Sequence, residues 1–384
     1  MKNQLCTRQV CFIMYAYPAA GKILMMPALL AYYCKNDLAF TALFIFILQA
    51  AAVCALAAAC ARSEKTFFQL VEGAFGKVVS KIFMWLFAAF FVLSAFVPML
   101  EQKLFVQAIF YDTIPSLITF LPFFALAVYV GAKGMRNAAR TADIAAPLFI
   151  GALVALVIMS VGESNLMWLL PVLKTPASDI FSGARFAMYN FTDGAVMLML
   201  MGRFRAARGD VKKIVLSYAA SALTVLIFLV LFYSIFSVLA PDQYFAVSKM
   251  AIFFSVLSLV GRVDLIAVYA MEACMLFGLL LYLQIAVTCV CEAIGSEQTA
   301  GRKVRPAAAA ASVAINAILL ALVIIFNEGY LAVQKVYGNY LWPIFLAFSF
   351  IIPAIGTVLA FISSCGEKGG RRGEKEKKAA GGEL

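Results

Sequence analysis

The chain has 384 residues, 64% of them hydrophobic and 13% charged, with a mean hydropathy of +0.95. So little polar surface cannot face water all round, which excludes a soluble globular protein. The net charge of +11 would suit nucleic acid, but its placement along the chain is that of a membrane protein.

Crossing a hydrocarbon core of about 30 Å takes roughly 20 apolar residues, and the sequence offers ten such segments. The first, Val10–Tyr32, contains Pro18–Gly21 and then Lys22. It follows Lys2 and Arg8 yet continues too far past any small-residue cleavage site to be a signal peptide. The second is Leu38–Ala61. The loop Arg62–Lys81 sets Phe67, Phe68, Leu70, Val71 and Phe75 among Glu64, Lys65, Glu72 and Lys77, the pattern of an amphipathic surface helix. The third, Lys81–Phe110, is long and carries Glu101; the fourth, Leu117–Val130, is short; the fifth is Asp143–Val161. The sixth, Ile180–Met201, is interrupted at Asn190-Phe191-Thr192-Asp193-Gly194. After the seventh, Val211–Leu239, a weaker stretch Tyr244–Val260 reads as an interfacial or re-entrant helix. The eighth, Val263–Ala293, carries Glu272, and Val304–Phe326 and Tyr337–Ile362 complete the set. Residues 1–365 therefore form one transmembrane domain. Residues 366–384 are too charged and Gly-rich to fold and read as a disordered cytoplasmic tail.

Most of the 31 Lys and Arg fall in alternate connections: those holding Lys2 and Arg8, Arg62 to Lys81, Lys133 to Arg140, Arg203 to Lys213, Arg302 to Arg305, and the tail. That asymmetry predicts both termini on the cytoplasmic side. The basic excess sets topology, with membrane lipid rather than nucleic acid as the surrounding partner. Nine cysteines form no CxxC and there is no histidine, so no metal site and no cofactor is expected. Catalysis by an intramembrane His or metal route is excluded on the same ground, and the chain does not read as an enzyme.

The first and sixth segments break at corresponding positions, about 170 residues apart. Broken helices at matching places in two halves mark a midplane binding site in an inverted-repeat transporter. Unwound backbone is intolerable against lipid, so the breaks must face protein or a wet cavity. The fold class is an all-α polytopic membrane protein of ten transmembrane helices, a 5+5 inverted repeat with discontinuous helices 1 and 6.

Several stretches carry a family likeness. Gly134, Arg140, Ala142, Asp143, Ile144 and Pro147 precede or open helix five. Arg262-x-Asp264 stands before helix eight, Leu281-Tyr282-Leu283 within it, and Gly21-Lys22-Ile23-Leu24-Met25-Met26-Pro27 in helix one. Asn36-Asp37 stands at the start of helix two. Together these resemble the bacterial endospore germination permease family, the B subunit of the nutrient germinant receptor. That family lies in the amino acid–polyamine–organocation (APC) superfamily, with its LeuT fold. Lys22 in place of a small residue, Arg136 in place of glutamate, Thr113-Ile114-Pro115 in place of Thr-Pro and Met271 in place of tryptophan depart from the family pattern. The resemblance implies a small germinant as ligand, an amino acid foremost, and A and C subunits as partners in a spore inner membrane.

An ionisable residue inside a span costs about 2.5–3.5 kcal/mol on insertion scales, which makes it a functional candidate. Lys22, Glu101, Asp193 and Glu272 meet that test as an ion pair or proton-coupling set. An unpaired buried ammonium would not persist, so Lys22 is expected to pair with Asp193 or Glu272. Glu101 has a second reading in which it and Lys103 turn outward along the helix. Lys22 has three possible tasks: holding a substrate carboxylate, standing in for a coupling cation, or statically locking two helices. Free N–H groups at the half-helix ends would suit a carboxylate. Ala20, Gly21, Lys22, Asn190, Phe191, Asp193 and Gly194 are the expected ligand-binding residues, with Tyr189 a further aromatic wall. Arg140 and Asp143 are assigned to structure, the acid at a helix N-terminus, and Arg185 to an outer anchor or gate. Two functions share this pocket: a germinant-sensing permease subunit, and a proton-coupled amino acid transporter.

Overall fold

Apolar runs in a bilayer must satisfy every backbone group within themselves, so they become helices. A computed structural model describes residues 5–110, 116–204, 206–252, 264–296, 299–300 and 303–364. The first predicted segment forms α1 (Thr7–Gly21) and α2 (Met26–Cys34), followed by α3 (Leu38–Cys60) and the surface helix α4 (Phe67–Phe75). Next come α5 (Lys77–Phe110), α6 (Ser116–Lys133) and α7 (Met135–Val161). The sixth segment forms α8 (Ala177–Ala187) and α9 (Asp193–Leu200), and α10 (Arg208–Phe236), α11 (Ala246–Ile252) and α12 (Asp264–Ile294) follow. A hairpin of β1 (Thr299–Ala300) and β2 (Lys303–Val304) leads to α13 (Pro306–Ile325) and α14 (Tyr330–Ser364).

Among the described residues, seven helical runs are long and apolar enough to cross a bilayer. One of them, Met26–Cys60, joins α2 to α3 through a 3-10 turn where Lys35 adopts φ 47°. The first and sixth predicted segments are each interrupted by an unwound stretch. The predicted amphipathic helix is α4, capped by Thr66, whose hydroxyl accepts from Gln69 N–H at 3.3 Å. Phe67, Leu70 and Val71 form its buried face.

Several boundaries differ from the sequence reading. The first break lies at Lys22–Met25, not Pro18–Gly21: Pro18 is accommodated inside α1, and Pro27 restarts the helix as α2. An interior proline removes one N–H donor and crowds the carbonyl four residues back, yet α1 continues past Pro18 to Gly21. Helix α7 begins at Met135, eight residues before the predicted start, because Gly134 at φ 90° makes the turn out of α6. Asp143 consequently sits in the third turn of α7 rather than at a helix N-terminus. It accepts from Gln9 Nε2 at 3.0 Å and pairs with Arg8 at 3.3 Å, while Arg140 is exposed. Helix α14 begins seven residues early and carries two π-helical turns, Tyr337–Leu341 and Ala347–Ile351. The β1–β2 hairpin pairs Thr299 with Val304 and Ala300 with Lys303; strands of two residues leave no periodicity to read. Of the stretch Tyr244–Val260, the helix Ala246–Ile252 is seen, while 253–263, with Arg262, lie outside the described residues. So do Thr113-Ile114-Pro115 and the whole proposed tail.

Helix α12 is the central post, with 94% of its apolar window buried against 33–56% for the other runs. It packs on α5, α7, α1 and α13, while α10 packs on α1 and α3. All eight residues of α9 are buried, so the second half of the broken sixth segment never meets lipid. Gly194 permits this. A Cβ there would collide with the Ser349 carbonyl of α14 and crowd Gln49 of α3.

Candidate functional site

The two interruptions meet. Lys22, first residue of the α1–α2 break, extends Nζ to both Asp193 oxygens at 2.9 and 3.0 Å and to the Pro18 carbonyl at 3.3 Å. The pair is almost dry, with side chains 1% and 0% exposed. Burying two charges repays its desolvation only when the remaining polar valences are filled. Here Tyr218 of α10 donates its hydroxyl to Asp193 Oδ2 at 2.9 Å. The ammonium also lies 4.9 Å from the Phe191 ring centre and 5.6 Å from that of Phe46, where the faces of the rings attract a cation.

Side chains also satisfy the broken backbone. Gln49, midway along α3, donates Nε2 to the Phe191 carbonyl at 2.6 Å and accepts the Gly194 N–H at Oε1 at 3.0 Å. One amide thus fills both sides of the second break. The N-terminus of α9 consequently offers less to a ligand carboxylate than the sequence suggests. At the first break, the Leu24 carbonyl accepts from Ala246 N–H of α11 at 3.0 Å. A hydroxyl chain then crosses the interior: Tyr17 of α1 and Tyr282 of α12 each lie 2.7 Å from Thr192 Oγ1. It links the first helix, the second break and the central post.

A small cavity of about 30 Å³, room for one or two waters, lies against this cluster. Its walls are Ala20 and Gly21 at the end of α1, Lys22 from the first break, Asn190 from the second, Glu101 and Gln102 from α5, and Met275, Gly278 and Tyr282 from α12. Of the expected ligand-binding residues, Ala20, Gly21, Lys22 and Asn190 line it. Phe191, Asp193 and Gly194 stand behind that wall, where Asp193 fixes Lys22 and Phe191 flanks it. Glu101 does not turn outward. It is buried and accepts the hydroxyls of Tyr189 at 2.8 Å and Tyr330 at 3.1 Å. Lys103 is buried too, bonded to the Asn327 carbonyl at 2.9 Å and side-chain oxygen at 2.5 Å.

Glu272 is not the partner of Lys22. It shares the α12 stripe of Met275, Leu279 and Tyr282 by helical spacing but sits a turn away, buried and outside the cavity wall. Arg185 is in the last turn of α8, where Nη2 donates to Asn339 of α14 at 3.2 Å. Asp37 secures the loop before α8 by accepting Leu173 N–H at 2.5 Å and Thr175 N–H at 2.9 Å. At the other end, Arg203 bonds Glu292 at 2.6 Å and its carbonyl accepts Leu5 N–H at 2.9 Å.

Sequence reasoning missed Tyr17, Phe46, Gln49, Thr192, Tyr218 and Tyr330. Gln49 had a signal: a glutamine in the middle of an apolar span must find partners. Tyrosine and threonine are too common in membrane helices to stand out.

A family model described as spore germination protein matches residues 4–328. Among curated proteins none is significantly similar in sequence. Among solved structures, a Na+-coupled sialic acid symporter in its substrate-bound outward-open state superposes with a TM-score of 0.60 at 12% identity, covering 91% of this chain and 80% of that one. MhsT in complex with L-phenylalanine gives a TM-score of 0.61 at 15% identity, covering 95% of this chain and 100% of the other. At such identities what is shared is the fold, that of LeuT-type transporters.

Proposed function

The chain belongs to the spore germination protein family, and from that premise we propose that it is a permease-like subunit that binds a small nutrient germinant, an amino acid, in its central membrane cavity and signals occupancy to partner subunits. The observation that carries this reading is the dry Lys22–Asp193 pair, which ties the two broken helices together at the cavity wall. A cavity with room for one or two waters must widen to admit even a small amino acid. Widening moves α1–α2 or α8–α9, whose breaks form the wall. Ligand therefore favours a more open arrangement through its differential affinity for it, and that rearrangement is what a partner can sense. Lys22, held on both Asp193 oxygens, serves as the fixed charge joining the breaks.

We place the protein in a spore inner membrane, with both termini cytoplasmic and with a membrane-attached A subunit and a lipoprotein C subunit as partners. A second reading, a proton-coupled amino acid transporter, draws on the fold shared with Na+-coupled transporters and on the buried Glu101. Spores of the native host lacking this chain, and spores carrying Lys22→Met, should lose germination on an amino acid that wild-type spores answer. Normal germination of both would reject the sensing role. Uptake of that amino acid by vesicles containing this chain alone would favour the transporter.

A further inference from the structure

The ionisable groups at the cavity are not all paired with an opposite charge. Lys22 is matched by Asp193 at 2.9 and 3.0 Å, which leaves Glu101 as the second acid at the site. Glu101 is 3% exposed and lines the cavity. Among the described residues its partners are two hydroxyls, Tyr189 and Tyr330, both donating to Oε1, and no Lys or Arg pairs with it. A carboxylate so deeply buried is stabilised by hydrogen bonds but gains most from a cation. Beside it in the same wall is Asn190, 6% exposed, whose Nδ2 makes no well-formed hydrogen bond among the described residues although it lies close to the Tyr189 hydroxyl. Buried amide donors are nearly always satisfied, and one so loosely held can turn to a better acceptor.

One small molecule would complete both groups. We propose that Glu101 is the ammonium-recognising residue of the site, and that the ligand is a small primary amine bearing a neighbouring carbonyl or carboxylate oxygen, its ammonium on Glu101 and its oxygen on Asn190 Nδ2. The proposal rests on the reading that this cavity binds an amino acid and assigns the residue that meets its amine. Carboxylic acids without an amine, sugars and other neutral nutrients are expected to bind more weakly, because none of them brings a cation to Glu101. Tyr189 and Tyr330 position the carboxylate, and an ammonium can be added to it while both hydroxyl bonds stay in place.

The test uses the purified full-length protein in detergent, with binding followed by thermal unfolding. The probes are the common L-amino acids, the deaminated acid and decarboxylated amine of each, representative sugars, and sodium chloride against choline chloride. One or more amino acids should stabilise the wild type, the corresponding amine more weakly and the deaminated acid least. Glu101→Gln should weaken amino acid binding about tenfold or more, the loss expected for a charge-assisted bond, and Glu101→Asp should restore part of it. If Glu101→Gln does not fold, the wild-type comparison still decides. A deaminated acid or a sugar that binds as well as the amino acid overturns the inference while leaving a nutrient site intact. Stabilisation by sodium alone, lost in Glu101→Gln and with no amine effect, overturns it in favour of an inorganic cation. No binding by any class rejects the nutrient-site reading itself, and the inference with it.

Discussion

Lys22 and Asp193 depend on each other. Removing one charge from a dry pair leaves the other uncompensated, a loss of about 3–5 kcal/mol, whereas replacing both with neutral groups costs far less. Lys22→Met and Asp193→Asn should each lower the unfolding midpoint in detergent strongly, and the double variant should recover much of the loss. Additive effects of the two would show that the pair is not coupled. Both residues were legible in the sequence because charge inside a lipid-spanning segment needs a reason. The choice of Asp193 over Glu272 was not legible, since helical spacing fixes the face a residue occupies but not which neighbouring helix lies opposite. Tyr218, third member of the cluster, lies in a different helix and gave no signal of its own.

Among the elements, the second break is held by a side chain from a neighbouring helix. Gln49 fills the Phe191 carbonyl and the Gly194 N–H, and orphaning a buried polar group costs about 1–3 kcal/mol. Gln49→Leu should therefore destabilise the protein by about that much for each of the two groups. Equal melting of Gln49→Leu and wild type would show that the break finds other partners. The existence of the helices was plain from hydropathy, but their ends were not. Gln334 and Lys335 depress the apolar signal at the start of α14, and only packing of Tyr330 and Tyr337 against α5, with hydroxyls on Glu101 and the Leu93 carbonyl, shows that the helix has begun. At the first break the sequence marked the right neighbourhood and the wrong residues. Pro18 looks like a helix breaker, yet the chain unwinds just after Gly21, where Lys22 turns to Asp193.

At the scale of the molecule, α12 stands at the centre, α1 packs beside it, and Arg203 ties the end of the sixth segment to the end of α12 through Glu292. The distribution of Lys and Arg predicts cytoplasmic termini. Fused at the C-terminus, green fluorescent protein should fluoresce and alkaline phosphatase should stay inactive; the reverse pattern would invert the assigned topology. The sequence alone determined that the chain belongs in a bilayer, that two of its helices are interrupted, and which charges lie within spans. Each of these follows from local composition, because lipid penalises every polar group wherever it falls along the chain. Only the tertiary structure decided which acid meets Lys22, that Gln49 and a line of hydroxyls fill the breaks, and that Glu101 faces the cavity beside the Asn190 amide. Those facts depend on contacts between residues far apart in sequence, across helices whose apolar faces look alike until they are packed.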